Sequence, residues 1–267
     1  DLDIFAGTML NSRGHRVWLN SDRGIFSDTG QVLGQGQSDA VALGDLDGDG
    51  DLDAFVAVRG IDEVWLNDGT GVFTQAIQPA LAQHFDSTYA VALADLDGDG
   101  HLDAVTVGCS GTFIWLNNGA GEFANSDVKL EGGCPGKLTV ADVNGDGLPD
   151  LFFNRGLRLH NGKDTEGRIN FSPMQTFEDA GANIEDVAVG DLDGDGDLDI
   201  FGASDGRRAV IIGLNQGNHT FVFSETEFAT VGGEGGGQAW HVALGDLDGD
   251  NDLDAVIVSH SRFVTRV

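Results

Sequence analysis

Asp45-Leu-Asp47-Gly-Asp49-Gly50-Asp51-Leu-Asp53 sets carboxylates at positions 1, 3, 5 and 9 of a nine-residue stretch, with a glycine at position 6. The pattern returns at Asp95, Asp142, Asp191 and Asp246, with openings 50, 47, 49 and 55 residues apart. Each copy follows a short apolar run such as Ala40-Val-Ala-Leu-Gly44 and precedes another such as Ala54-Phe-Val-Ala-Val58. A loop that curls around one point brings its first, third and fifth side chains together there. The residue at position 6 permits the turn, position 7 offers a carbonyl, and the ninth carboxylate closes the shell. Flexible, oxygen-only coordination of this kind is what calcium prefers.

Read this way, the first site draws on Asp45, Asp47, Asp49, the Asp51 carbonyl and Asp53. The second uses Asp95, Asp97, Asp99, the His101 carbonyl and Asp103. The third takes Asp142, Asn144, Asp146, the Leu148 carbonyl and Asp150, one charge fewer. The fourth is Asp191, Asp193, Asp195, the Asp197 carbonyl and Asp199; the fifth is Asp246, Asp248, Asp250, the Asp252 carbonyl and Asp254. Asn251 stands where the other loops have their turn glycine, and Asn tolerates a left-handed backbone better than most residues. About five Ca2+ ions are therefore expected.

Composition agrees. Acidic residues outnumber basic ones by 44 to 14, half of them in these loops, for a net charge of −30. Such a charge would suggest self-repulsion or disorder, but 40% apolar content and regular β-patterning point to a folded chain whose charge bound ions partly cancel. The same charge argues against nucleic acid as a partner, because phosphate would be repelled. The apolar runs are strand-length, too short for membrane insertion as helices.

A period of 47–55 residues suits a propeller blade of four antiparallel strands. Val41-Ala-Leu begins the unit, the acidic loop follows, Leu52 to Val58 is the second strand, and Glu63-Val-Trp65-Leu-Asn67 is the third. Asp68-Gly-Thr-Gly71 turns into a fourth strand at Val72-Phe73-Thr74. The Trp-Leu-Asn element recurs at Trp18 and Trp115. The reading is all-β: one propeller domain over 1–267, with a partial blade at 1–38, full blades at about 39–88, 89–136, 137–184 and 185–239, and a partial blade at 240–267. Six blades is the simplest count, with five or seven as alternatives. Asp3 falls in the position of a ninth-place aspartate. With no initiator Met and no signal segment, the chain is expected to be a mature product or a fragment.

The two linked motifs, Val-Ala-Leu-Gly-Asp-Leu-Asp-Gly-Asp-Gly-Asp-Leu-Asp and Trp-Leu-Asn-Asp-Gly-Thr-Gly-Val-Phe, resemble the FG-GAP and VCBS families of calcium-binding β-propeller repeats, the module also found in the integrin α-chain headpiece. The likeness covers essentially the whole chain. It departs at Leu157-Arg-Leu-His160-Asn161, where Trp is expected, at an insertion from Lys163 to Arg168, and at Ile211-Ile-Gly-Leu214-Asn215. The resemblance implies an adhesion module, a lectin-like domain or an appendage of a secreted enzyme, and a shared fold does not choose among them.

Antiparallel blades put the acidic loops and the third-to-fourth-strand turns on one face, so a ligand is expected on the other. Arg13, Arg16, Arg59, Arg155, Arg158, Arg207, Arg208, Arg262 and Arg266 gather at connections on that face and suit an anionic or polyhydroxylated ligand, a glycan or an extracellular partner protein; pairing with neighbouring acids is the alternative. Tyr89, Trp240 and His241 precede first strands, placed either to stack on a sugar or to plug the centre as core. Cys109 and Cys134 both fall in connections on this face, as a disulfide or as two buried thiols. A disulfide and weak calcium loops both suit an extracellular or cell-surface setting. A recognition or adhesion module is the leading reading, and self-assembly through open blade edges comes second. An enzyme comes last, since no His-Glu-x-x-His, Gly-x-Ser-x-Gly or phosphate loop is present.

Overall fold

Strands rich in Val, Ile, Phe and Trp, punctuated by Asp-Gly and Asn-Gly turns, cannot propagate as helix, and they form antiparallel meanders. The computed structural model describes residues 2–8, 14–21, 24–84, 86–131, 137–153, 156–177, 184–204, 210–217, 219–223 and 239–259. Arg13, Cys134, Arg155, Arg207, Arg208, Arg262 and Arg266 lie outside the described residues. Helical structure among the described residues is confined to one 3-10 turn, Leu81–Gln83, whose Leu81 is buried. Among the described residues no helix is long and apolar enough to cross a membrane. The chain divides into two units, Asp1–Gly136 with Lys163–Ile169, and Lys137–Gly162 with Asn170–Val267.

The first unit opens with a three-stranded meander, Ile4–Ala6, Arg16–Asn20 and Phe26–Asp28. Two four-stranded meanders follow: Ser38–Gly44, Asp53–Gly60, Glu63–Asn67 and Phe73–Ala76, then Asp86–Ala94, Asp103–Gly108, Gly111–Asn117 and Phe123–Leu130. In both, the loop's ninth residue pairs with the residue before its first aspartate, Gly44 with Asp53 and Ala94 with Asp103. The second unit repeats the scheme with Ile184–Gly190, Asp199–Ser204, Val210–Asn215 and Phe221–Phe223, and ends on the pair Ala239–Gly245 and Asp254–Ser259. Its opening meander is Leu138–Ala141, Asp150–Phe153, Gly156–Arg158 and Gln175–Thr176.

That meander explains the departure at His160. The sequence reading extends its third strand through Asn161, but the strand stops at Arg158 and a hairpin, His160–Lys163 with Ile169–Phe171, is inserted before the fourth strand. Ser172 clamps the base of the insertion: its hydroxyl accepts from Leu159 N at 2.9 Å and its N–H donates to Leu159 O at 2.8 Å. His160 stands at the asparagine position of the element, buried and stacked on Phe171 at 4.8 Å between centroids. Burial pushes its pKa down, favouring the neutral ring.

Packing between neighbouring meanders uses an interlock. Leu93 and Leu102 of one repeat press on Gly44 of the preceding one, so that a Cβ there would lie 2.6 Å from Leu102 Cδ1. Leu244 and Leu253 press on Gly190 in the same way, at 2.5 Å from Leu253 Cδ1. Beneath three of the acidic loops the apolar residue at position 2 turns inward: Leu46, Leu96 and Val143 are buried, whereas Leu247 of the fifth loop is exposed. Leu46 joins Phe55, Val64, Leu81, Trp115 and Phe123 in one core, and Val143 joins Phe152, Leu157, Phe177 and Ile200 in another. Each such side chain stabilises the fold by about 1.5–3 kcal/mol when fully buried. The loop is thus anchored from below by apolar surface.

Candidate metal loops and ligand face

The five loops share one hydrogen-bond scheme, which their Asp-Gly sequence dictates. The first aspartate accepts from the N–H at position 6: Gly50 to Asp45 at 3.1 Å, Gly100 to Asp95 at 3.0 Å, Gly147 to Asp142 at 2.7 Å, Gly196 to Asp191 at 3.1 Å and Asn251 to Asp246 at 3.1 Å. The position-6 residue is left-handed in each, with φ of 92° at Gly50 and 73° at Asn251. Asn251 therefore takes the glycine's conformation, as its side chain allows.

The ninth aspartate does more than close a shell. Asp53 is wholly buried; one oxygen accepts from Leu46 N at 2.8 Å and the other from Asn67 N at 2.7 Å. Asp103, Asp150 and Asp199 repeat both bonds, to Asn117 and Asn215 on their third strands and to His160 at the start of the inserted hairpin. Asp254 accepts from Leu247 N at 2.9 Å. Asp3 accepts from Asn20 N at 2.8 Å, the counterpart of the Asp53–Asn67 bond. These aspartates are struts between loop and third strand, a role the sequence reading missed. Burial raises the pKa of Asp103 and Asp150 to about 6 against the opposing pull of their N–H donors. Asparagine of the Trp-Leu-Asn element adds a second clasp. Asn117 Nδ2 donates to Leu46 O of the preceding loop at 2.8 Å, and Asn215 Nδ2 donates to Val143 O at 3.1 Å.

Several of these acidic clusters could hold metal ions. Ligand oxygens of Asp45, Asp47 and Asp53 lie within 4.8 Å of one another, as do those of Asp95, Asp97 and Asp99; of Asp191, Asp193 and Asp199; and of Asp246, Asp248 and Asp250. Burial, together with the charge of Asp49, pushes the Asp47 carboxyl up, as expected of acids gathered without a counter-charge. In the third loop the Asn144 amide donates to Asp146 at 3.0 Å. The donor set is hard oxygen on a flexible loop, which fits calcium over softer metals. Asp51, His101, Leu148, Asp197 and Asp252 sit at position 7, where the reading asks only for a carbonyl.

At the far end of the first strands a second repeated feature appears. Register slips by one residue between Ser38 and Ala40, Thr88 and Ala90, Ile184 and Asp186, and Ala239 and His241. The extra residue of each β-bulge is Asp39, Tyr89, Glu185 or Trp240, always six residues before the loop's first aspartate. Bulges re-aim side chains and gather beside functional sites. Of the five residues expected near a ligand, Tyr89 and Trp240 are bulge residues, His241 follows one, and Arg207 and Arg208 lie outside the described residues.

The arginines read differently. Arg59 is paired with Asp39 through Nε at 2.7 Å and Nη2 at 3.0 Å, Arg16 donates to Gln31 O at 3.4 Å, and Arg158 donates to Ser172 O at 3.0 Å. Arg59 thus pairs with an acid, the alternative weighed from sequence, while Arg16 and Arg158 donate to backbone carbonyls. Arg59 also lies 5.8 Å from the Tyr89 ring centroid, covering it, and the Cys109 sulfur is 3.5 Å from the Tyr89 hydroxyl.

A family described as FG-GAP-like repeat matches the chain at residues 45–106, 95–153 and 191–257. Among curated proteins none matches. Of solved structures, an Agrocybe aegerita lectin, solved for its specific recognition of non-reducing terminal N-acetylglucosamine, is similar with a TM-score of 0.64 and 23% identity, over 96% of this chain and 74% of that one. The V. cholerae biofilm matrix protein Bap1 gives a TM-score of 0.48 at 19% identity, over 81% of this chain and 34% of its own. The Photorhabdus luminescens Tc holotoxin pore gives 0.48 at 18% identity, over 95% of this chain and 13% of its own. At such identity the lectin speaks for the fold, all-β and of the propeller class. A repeat-module family and a lectin-type fold are consistent with binding rather than catalysis.

Proposed function

This chain belongs to the FG-GAP-like repeat family, and from that premise we propose that it is an extracellular recognition module for a glycan, with calcium held structurally in the acidic loops. The observation that carries the reading is the division of labour along the first strands. One end runs into an oxygen-lined loop; the other presents a bulged side chain, outside the ladder, of a type that varies from repeat to repeat.

Calcium in these loops would supply positive charge to carboxylates that otherwise repel one another. Asp45, Asp47, Asp49 and Asp53 would hold it in the first loop, and the matching residues from Asp95, Asp142, Asp191 and Asp246 in the others. The chain's own groups fix the geometry: the position-6 N–H orients the first aspartate, and the third strand orients the ninth. At about ten times Kd each site adds ~1.4 kcal/mol, so five add ~7 kcal/mol, comparable with the whole stability of an ordinary domain.

The similar lectin, with its N-acetylglucosamine specificity, motivates the choice of glycan over protein as the ligand. A glycan array probed in millimolar calcium, with melting curves in calcium and in EDTA, tests both halves. Expected are binding to a defined set of sugars and a marked drop in Tm on chelation. An array without binding rejects the recognition reading, and an unchanged Tm rejects structural calcium.

A further inference from the structure

The third acidic loop departs from its four counterparts in two ways that coincide at a single peptide bond. Its position 3 is an asparagine, and a glycine follows: Asn144-Gly145. In the other loops the position-4 glycine N–H is committed to the first aspartate, Gly48 to Asp45 at 2.8 Å, and Gly98, Gly194 and Gly249 to Asp95, Asp191 and Asp246 at 2.7 Å. In the third loop Asp142 Oδ1 accepts instead from Asp146 N at 3.1 Å, and the Gly145 N–H donates to no group among the described residues. Gly145 is exposed, and nothing lies within 4 Å of where its Cβ would be. Asp146 brackets the exposed Asn144 amide: its N–H donates to Asn144 Oδ1 at 3.0 Å, and its carboxylate accepts from Asn144 Nδ2 at 3.0 Å. The other Asn-Gly pairs are held differently. At Asn118-Gly119 the Gly119 N–H donates to Asn117 Oδ1 at 3.2 Å, while Asn118 Oδ1 accepts from Ala120 N at 3.0 Å and from Glu122 N at 3.4 Å. Asn161-Gly162 lies within a paired hairpin strand.

We propose that Asn144-Gly145 is a self-modification site, at which the metal-free third loop converts its asparagine to aspartate or isoaspartate with loss of ammonia. Calcium in the loop would block the step, the half of the proposal that rests on the calcium reading above. The Gly145 nitrogen gives its proton to base in the solvent and bonds to Asn144 Cγ. The Cγ–Nδ2 bond then breaks, and Nδ2 leaves as ammonia with its extra protons drawn from water. Water opens the resulting cyclic succinimide. Cleavage of the new N–Cγ bond leaves aspartate; cleavage of the bond from the nitrogen to the Asn144 backbone carbonyl leaves isoaspartate, with the chain running through the side chain. Water is consumed and ammonia released, and nothing is oxidised or reduced. The local groups favour the step. No Cβ shields the Gly145 nitrogen, no hydrogen bond must break to free it, and the Asp146 N–H sits on the oxygen where charge develops as the nitrogen adds. At Asn118 the attacking N–H must first leave Asn117, and forfeiting a bond of ordinary net strength slows a step by about fivefold. Asn144 Oδ1 is also the atom that position 3 would offer to calcium, and an amide tied there could not turn its Cγ toward Gly145 N. An aspartate product would give the third loop the carboxylate that the other four carry at position 3.

The test incubates the full chain in mildly alkaline buffer with EDTA, with millimolar calcium, and in urea, the native samples kept below the melting transition measured in EDTA. Tryptic peptides are mapped by mass spectrometry, where cleavage after Lys137 and Arg155 separates Asn144 from the other Asn-Gly pairs. In EDTA, conversion at Asn144 is expected to run at least about fivefold faster than at Asn118, a lead that vanishes in urea. Calcium should slow Asn144 by at least about tenfold and leave Asn118 within about twofold. A native rate at Asn144 no greater than that at Asn118, or a lead that persists unchanged in urea, overturns the site as a property of the fold. Equal Asn144 rates in calcium and in EDTA overturn the block by calcium. If Tm still rises with calcium, that failure belongs to the third loop alone; if Tm is unmoved, structural calcium itself has failed, and the lead over Asn118 still decides the modification.

Discussion

Asp62 offers a measurable test of the packing between repeats. It lies in the turn between second and third strands, 6% exposed, and accepts from Val58 N and from the Thr88 hydroxyl of the next repeat, each at 3.0 Å. Burial, aided by the charges of Asp86 and Glu63, raises its pKa from 3.8 to about 7. An acid whose folded pKa lies above its unfolded value holds a proton in the fold that the open chain has lost. Its contribution is full below about pH 4 and disappears as pH rises through about 7. The span from 3.8 to about 7 is worth about 4 kcal/mol, of which about 3 kcal/mol is lost between about pH 5 and about pH 8.5. Asp62→Asn keeps the shape, leaves an oxygen for Val58 N, and turns an amide N–H toward the Thr88 oxygen. Urea unfolding of parent and variant at those two pH values isolates the effect, because the loop carboxylates are common to both chains. The variant should gain about 3 kcal/mol on the parent from the lower to the higher pH. A stability difference that does not change with pH would refute the account.

Gly190→Ala pushes a Cβ to 2.5 Å from Leu253 Cδ1, the far end of a half-exposed side chain that must swing aside, and should cost about 1 kcal/mol. The same change at Gly245, where nothing lies within 4 Å, should shift stability by no more than about 0.5 kcal/mol; equal Tm losses would deny the interlock. Asn251→Gly relieves a left-handed φ of 73° and should raise stability by up to about 1 kcal/mol, so a fall in Tm would count against it. Asp103→Ala strips the acceptors of Leu96 N and Asn117 N and should cost about 2 kcal/mol or more even in EDTA; a loss seen only with calcium present would make Asp103 a metal ligand alone. Alkylation followed by mass spectrometry should label Cys109 and Cys134 only after reduction, and labelling of both without reductant would exclude the proposed disulfide.

Much of this was legible in the sequence because the deciding contacts are local. The nine-residue loop, its position-6 conformation and the hairpin turns involve residues within one turn of chain, and five copies average out accident. The place of the fragmentary Asp3 was readable from its spacing, but its bond to Asn20, the counterpart of that from Asp53 to Asn67, was not. The bulges were not. Ser-Asp-Ala-Val-Ala-Leu reads as plain alternation, and the slip at Asp39 shows only against the partner register of Val58 and Ala57. The clasp from Asn117 to Leu46 spans 71 residues, which no local pattern encodes. A cation's position along the chain likewise does not reveal whether a carboxylate such as Asp39 or a backbone carbonyl reaches it first. At His160 the expected strand failed because an inserted hairpin satisfied the backbone instead.

A bulged residue contributes nothing to the ladder it interrupts, so its identity is divorced from whether the sheet forms. Asp39, Tyr89, Glu185 and Trp240 hold the same slot with two carboxylates and two different aromatics. Mutation can therefore rewrite what each repeat touches, one fingertip at a time, while the hand beneath keeps its shape. The slot is a natural socket for engineering as well.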